Sequence, residues 1–160
     1  MSKVLVSYYS QSGTTEKMAE LIVEGMENSD RDVDVDLKEI ENVDVDSLPE
    51  YDGIVLGSPT YYGQPASEVK EFIDESIAHH GDLEGMVGGA FSSSANPAGG
   101  NETTIMSILE ALLIHGMVIQ GTSEGDHYGP VVINEAGNRE RKQCKKYGRD
   151  VVDLVARLNK

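Results

Sequence analysis

The chain opens on a short apolar run, Val4-Leu5-Val6, and three more of the same kind follow: Ile54-Val55-Leu56, Met86-Val87-Gly88-Gly89-Ala90-Phe91 and Met117-Val118-Ile119. None alternates with polar residues, which predicts strands covered by helices on both faces. They form the first, third, fourth and fifth strands in chain order. Between them, apolar residues recur at helical spacing: Met18, Ile22 and Met26; Val69, Phe72, Ile73 and Ile77; Ile105, Leu109, Leu112 and Leu113; and Cys144, Tyr147, Val151, Val155 and Leu158. Each set predicts a helix whose apolar stripe packs into a core. The second strand is different, because Asp32-Val33-Asp34-Val35-Asp36-Leu37 alternates strictly and places three carboxylates on one face. The segment Glu41 to Asp52 is too short and too acidic to supply a covering helix, so this strand is expected at a sheet edge with its outer face bare.

Strands alternating with helices predict the α/β class, here a doubly wound parallel sheet of five strands. The edge position of the second strand fits the order 2-1-3-4-5. In open sheets of this kind ligands bind beyond the carboxyl ends of the strands where the order reverses, between the first and third strands. The residues following the first, third and fourth strands are therefore the ones expected to carry function. With 160 residues and no internal repeat or linker, one domain spanning 1–160 is expected.

After the first strand the chain reads Ser10-Gln11-Ser12-Gly13-Thr14-Thr15 and enters a helix. A helix N-terminus offers unpaired N–H groups and a partial positive charge, Gly13 permits a tight turn, and four hydroxyls stand ready to donate to phosphate oxygens. No lysine follows the glycine, so this is not a Walker A loop, and the G-x-G-x-x-G dinucleotide fingerprint is absent. A phosphate monoester suits the loop better than a diphosphate; the plainer alternative is a hydroxyl-rich turn with ordinary helix caps. The loop after the third strand, Gly57-Ser58-Pro59-Thr60-Tyr61-Tyr62-Gly63-Gln64-Pro65, brings two aromatics and a flexible glycine to the same end of the sheet. A flat heteroaromatic ring fits such a loop, with tyrosine stacking on it and backbone groups meeting its polar edge. After the fourth strand, Ser92-Ser93-Ser94-Ala95-Asn96-Pro97-Ala98-Gly99-Gly100-Asn101 is a small-residue loop that lets a ligand approach the backbone.

Composition narrows the function without changing the fold. The formal net charge of −15 argues against nucleic acid, whose phosphates would be repelled. The charge is uneven: Glu24 to Asp52 is a long acidic run relieved only by Arg31 and Lys38, whereas the last helix holds Arg139, Arg141, Lys142, Lys145, Lys146, Arg149 and Arg157, with Lys160 closing the chain. Both a solvated surface adapted to salt and a face for basic partners fit this pattern. The apolar runs fall far short of a bilayer crossing, so no membrane insertion is expected, and the opening Met1 to Tyr8 reads as a strand, not a secretory leader; a cytoplasmic location is expected. Cys144 is the only cysteine, which excludes an intramolecular disulfide or a multi-cysteine metal cluster. A phospho-accepting receiver domain needs acids after the first strand, an aspartate ending the third and a lysine ending the fifth. Those places hold Ser7-Tyr8-Tyr9-Ser10, Gly57-Ser58-Pro59 and Gly121-Thr122. A cysteine-nucleophile phosphatase is excluded because Cys144 lies on the last helix.

Taken together, Ser10 to Thr15, Ser58-Pro59-Thr60-Tyr61-Tyr62-Gly63, Phe91-Ser92-Ser93, Gly99-Gly100-Asn101-Glu102-Thr103-Thr104 and His115-Gly116-Met117-Val118 resemble the flavodoxin superfamily, and most closely its branch of WrbA-type NAD(P)H:quinone oxidoreductases. Flavodoxins are themselves a standard example of the order 2-1-3-4-5. The resemblance implies a flavodoxin-like fold and non-covalently bound FMN. It implies that Ser10, Gln11, Ser12, Gly13, Thr14 and Thr15 hold the FMN phosphate, that Pro59, Thr60, Tyr61, Tyr62, Gly63, Ser93, Ser94, Ala95, Asn96, Gly99 and Gly100 surround the isoalloxazine, and that His115 lies beside it. This chain lacks the long segment that the quinone reductases insert between the second and third strands. Its size and acidity resemble an electron carrier working between redox partner proteins with basic docking faces. The alternative implied by the resemblance is an enzyme moving two electrons from NAD(P)H to a quinone, and a homo-oligomer is open in either case.

Overall fold

The computed structural model describes residues 1–159, so Lys160 lies outside the described residues. Seven strands and four α-helices follow in the order β1 (Ser2–Tyr8), α1 (Thr14–Glu27), β2 (Val33–Glu39), β3 (Gly53–Tyr61), β4 (Gln64–Pro65), α2 (Ser67–Glu75), β5 (Val87–Ser94), α3 (Asn101–Ile114), β6 (Val118–Ile119), β7 (Val131–Ile133) and α4 (Asn138–Leu158). The main path of the sheet is β2-β1-β3-β5-β6, all parallel. This is the expected order 2-1-3-4-5, renumbered because the two-residue strand β4 folds back antiparallel on β3.

The lack of alternation in β1 has a direct cause. Val4, Val6 and Tyr8 face a core built with Met18, Ile22 and Met26 of α1 and Cys144, Tyr147, Val151 and Val155 of α4. Leu5 points the other way, into a core shared with Ile54 and Leu56 of β3, Val69 and Phe72 of α2, and Ile105, Ile108, Leu109 and Leu112 of α3. Each fully buried side chain of this size contributes about 1.5–3 kcal/mol, so both faces must be apolar for the sheet to hold two helical layers. Burial pushes the Cys144 thiol up to about 12, which makes it a packing residue and not a nucleophile.

Several expectations are corrected. The outer face of β2 is not bare: the 40–51 segment folds into two short 3-10 turns that bury Ile40 and Leu48, and Tyr51 donates its hydroxyl to Asp36 at 2.7 Å while Lys3 approaches the same carboxylate at 3.4 Å. The fifth strand is broken in two. Val118–Ile119 pairs with the beginning of β5, the chain leaves the sheet, and Val131–Ile133 returns to pair with Ser92–Ser94 at its end. Ile77, Leu113 and Leu158, assigned to the core by spacing, are exposed: α2 stops at Glu75, before Ile77, and Leu113 and Leu158 lie in the last turns of α3 and α4.

Helices α1 and α4 touch through glycine. A Cβ at Gly148 would stand 2.1 Å from the backbone oxygen of Ile22, where nothing flexible can yield. Helix propensity alone would make Gly148→Ala stabilising by about 1 kcal/mol. The contact reverses the sign: the variant is expected to lose about 2 kcal/mol, as overpacked sites do. Urea unfolding followed by circular dichroism measures this, and an unchanged or higher midpoint would contradict the close helix contact.

Candidate functional site

The carboxyl ends of β1, β3 and β5 form one rim, as the strand order requires. Beyond β1 the backbone N–H of Gly13 donates to Ser10 Oγ at 3.1 Å, and Gly13 takes φ 97, a left-handed angle that disfavours side chains, at the N-cap of α1. No side chain caps this helix, whereas at α4 the Glu140 carboxylate receives the Gly137 N–H at 3.0 Å. The one acid in the first turn of α1, Glu16, is approached by the Tyr8 hydroxyl at 3.2 Å. Burial and that carboxylate push the Tyr8 phenol up to about 12, so it stays a donor. The start of α1 thus presents uncommitted amides and a partial positive charge to the rim.

The hydroxyls of the loop divide into anchors and free donors. Thr14 Oγ1 donates to the carbonyl of Asn134 at 2.8 Å, and Thr15 Oγ1 lies 2.9 Å from Ser93 Oγ, so these residues tie α1 to the ends of β7 and β5. Ser10 accepts from Gly13 and keeps its own proton, and Ser12 is exposed. Four equivalent phosphate donors were expected; Ser10 and Ser12 are free to act as such, while Thr14 is committed to Asn134.

A cavity of about 250 Å³ continues from this loop, lined by Gln11, Ser12, Thr14, Thr15, Pro59, Thr60, Tyr61, Ser93, Ser94, Ala95 and Asn134. Tyr61 donates its hydroxyl to Gln11 Oε1 at 2.7 Å, and Thr60 Oγ1 meets Ser92 Oγ at 2.9 Å. Beyond the cavity, β3 and β4 pair Tyr61 with Gln64 around a two-residue turn. Tyr62 (φ 51) and Gly63 (φ 76) both take left-handed angles, as a type I′ turn demands. A left-handed tyrosine costs roughly 1–2 kcal/mol, and the Tyr62 ring is wholly in solvent. A strained, unpacked aromatic at the lip of a cavity is a feature that folding alone does not favour. Asn96 and Gly99 lie on the exposed loop after β5, and Gly100 is the N-cap of α3.

His115 is not part of this rim. It caps the far end of α3, its Nε2 lies 2.8 Å from Ser76 Oγ, and the next residue, Gly116, accepts the N–H of Gly85 just ahead of β5. From there β5 runs to the rim, and Ser93 lies about 20 Å beyond Val87 at strand rise. Burial, with His80 and His79 nearby, lowers the His115 pKa and keeps it neutral. Sequence spacing in turn missed Asn134, which holds Thr14 through its carbonyl; the signal was the Val131-Val132-Ile133 run just before it.

A wider cavity of about 470 Å³ lies on the other side of the Pro97–Ala98 loop. Glu102, Asp126, Glu135 and Glu140 line it, against Arg139, whose guanidinium is bound to Asp126 at 2.7 Å. Among the described residues there is no cluster of acids, histidines and cysteines suited to a metal ion, and no helix long and apolar enough to cross a membrane.

Residues 5–112, which include the β1 loop, the β3–β4 hairpin and the start of α3, match the family described as Flavodoxin domain. The chain belongs to the flavodoxin family. A flavodoxin of Aquifex aeolicus (strain VF5) is 37% identical over 164 residues, covering 98% of this chain and 88% of that protein. An NAD(P)H dehydrogenase (quinone) of Sinorhizobium fredii is 39% identical over 141 residues, but the match covers 76% of this chain and 71% of that protein. Among solved structures, the flavodoxin, WrbA-like protein from Agrobacterium tumefaciens superposes with a TM-score of 0.83 at 27% identity, covering 98% of this chain and 99% of that one. The match to the Aquifex aeolicus flavodoxin thus spans nearly the whole chain, whereas the match to the quinone dehydrogenase leaves about a quarter of it uncovered.

Proposed function

We propose that the chain binds FMN and carries electrons between redox proteins in the cytoplasm. The observation that carries this reading is the uncapped start of α1 opening, through Ser12, into the same cavity as Tyr61. The group fits the residues present. The α1 amides, Ser10 and Ser12 would hold the phosphate, Thr14 and Thr15 would keep that loop on the sheet, and the Tyr61–Gly63 turn and the Ser93–Gly100 loop would flank the ring. FMN, when bound, supplies electron transfer in one- or two-electron steps.

A second reading, direct reduction by NAD(P)H followed by transfer to a quinone, draws support from the 39% identical quinone dehydrogenase. The cavity beside the ring site weighs against it. Four carboxylates and an arginine already engaged by Asp126 make a poor environment for the phosphates of a nicotinamide dinucleotide. The same acidity, within a net charge of −15, suits partner proteins with basic docking faces.

The test is a fluorescence titration of the purified apoprotein with FMN, FAD and riboflavin. FMN is expected to bind at least tenfold more tightly than either of the others, because one terminal phosphate fits the α1 start and the cavity beside the ring site is lined by four carboxylates. Equal affinity for FAD, or no flavin binding, would sink the reading.

A further inference from the structure

Thr103 stands on the first turn of α3, exposed and outside the cavity lining, yet it joins the two loops that flank the proposed ring site. Its Oγ1 lies 2.7 Å from the carbonyl oxygen of Gly63 and 2.9 Å from that of Gly100. A hydroxyl has one proton and serves one of them at a time. The Gly100 carbonyl already receives the N–H of Thr104 at 3.0 Å and the Thr104 hydroxyl at 2.9 Å. Both of its lone pairs are engaged, so the Thr103 proton goes to Gly63. The backbones also meet directly there: a Cβ at Gly100 would stand 2.5 Å from Gly63 Cα, so glycine at position 100 is what lets the turn reach α3. The turn so held is the one that keeps Tyr62 at φ 51, a conformation that relaxes unless its surroundings oppose it. The β3–β4 ladder restrains one side of the turn, and Thr103 restrains the other.

We infer that Thr103 is a positioning residue for the flavin ring: its hydrogen bond to Gly63 fixes the turn whose backbone and tyrosines meet the ring edge. It thereby sets ring affinity and the reduction potential. The inference rests on the FMN reading above. Because the turn meets the ring and not the phosphate, the effect is shared by FMN and riboflavin.

Thr103→Val removes the hydroxyl at nearly constant size on an exposed surface. Its expected result is a five- to twentyfold loss of affinity for both FMN and riboflavin, an altered midpoint potential in spectroelectrochemical titration, and recovery of both in Thr103→Ser. A tenfold difference between the losses in the two oxidation states of a one-electron step corresponds to about 59 mV. In the apoprotein, amide exchange at Gly63 and Gln64 should speed up in Thr103→Val and not in Thr103→Ser. Thr103→Ala, which cannot crowd the turn, gives the same reading if valine disturbs folding. Wild-type affinity and potential in the valine and alanine variants would overturn the positioning role while leaving FMN binding intact. A wild-type protein that binds no flavin would overturn the FMN reading and this inference together.

Discussion

Ser12→Asp is expected to lower FMN affinity about a hundredfold while leaving riboflavin within about threefold. Ser12 is exposed, immediately precedes the Gly13 cap of α1, and lines the candidate cavity. A carboxylate placed there occupies the electrostatic position that the phosphate would take. Two like charges 4 Å apart repel by about 4 kcal/mol at an effective dielectric constant of 20. The expected hundredfold loss corresponds to about 3 kcal/mol, below that figure because the site is open to solvent, each 1.4 kcal/mol being a tenfold change. The same carboxylate suits the positive end of the helix, so the melting temperature of the apoprotein should hold or rise slightly. Riboflavin has no phosphate and reports only on the ring site. If riboflavin loses as much as FMN, the loop serves the fold and the phosphate belongs elsewhere.

Reduction by NADPH or NADH alone is expected to be slow, at least a hundredfold slower than reduction through a ferredoxin- or flavodoxin-reducing enzyme at low salt. The partner-driven rate should fall about tenfold between low and high ionic strength, since steering between an acidic surface and a basic partner is screened once the Debye length shrinks to a few ångströms. The acidic cavity lined by Glu102, Asp126, Glu135 and Glu140 predicts the first result, and the net charge of −15 predicts the second. Anaerobic stopped-flow at the flavin absorbance band, with a benzoquinone added after each reductant, measures both. Rapid reduction by NADPH followed by sustained turnover on the quinone would make the protein an enzyme of the kind named for its Sinorhizobium fredii relative, with the fold unchanged.

The sheet and its rim were legible in the sequence because both depend on local pattern. Unbroken apolar runs such as Val4-Leu5-Val6 report burial on two faces, and the alternation after Asp32 reports an edge strand. A hydroxyl-rich loop with glycine before a helix reports an open N-terminus wherever the chain folds. These signals lie within a few residues of one another, so they placed strand order, the α1 start and the three loops. Which of those residues act together was decided at long range. Thr14 appeared in the sequence as a phosphate donor, but Asn134, 120 positions away, takes its proton. His115 appeared beside the other motifs, but α3 runs back across the sheet and carries it to the opposite end.

Tertiary contacts also decided what propensity misreads. Gly148 is a weak point in a helix until the Ile22 carbonyl is seen against it, and Thr103 is one threonine among several until Gly63 and Gly100 meet. The physical reason is one of range. Periodicity and turn chemistry act through neighbours on the chain, so the sequence by itself determined the α/β class, the strand order and the end of the sheet that bears the site. Hydrogen-bond commitment and steric contact depend on which backbone atoms arrive together, so only the folded chain decided which hydroxyls are free for a ligand and which residues hold its walls.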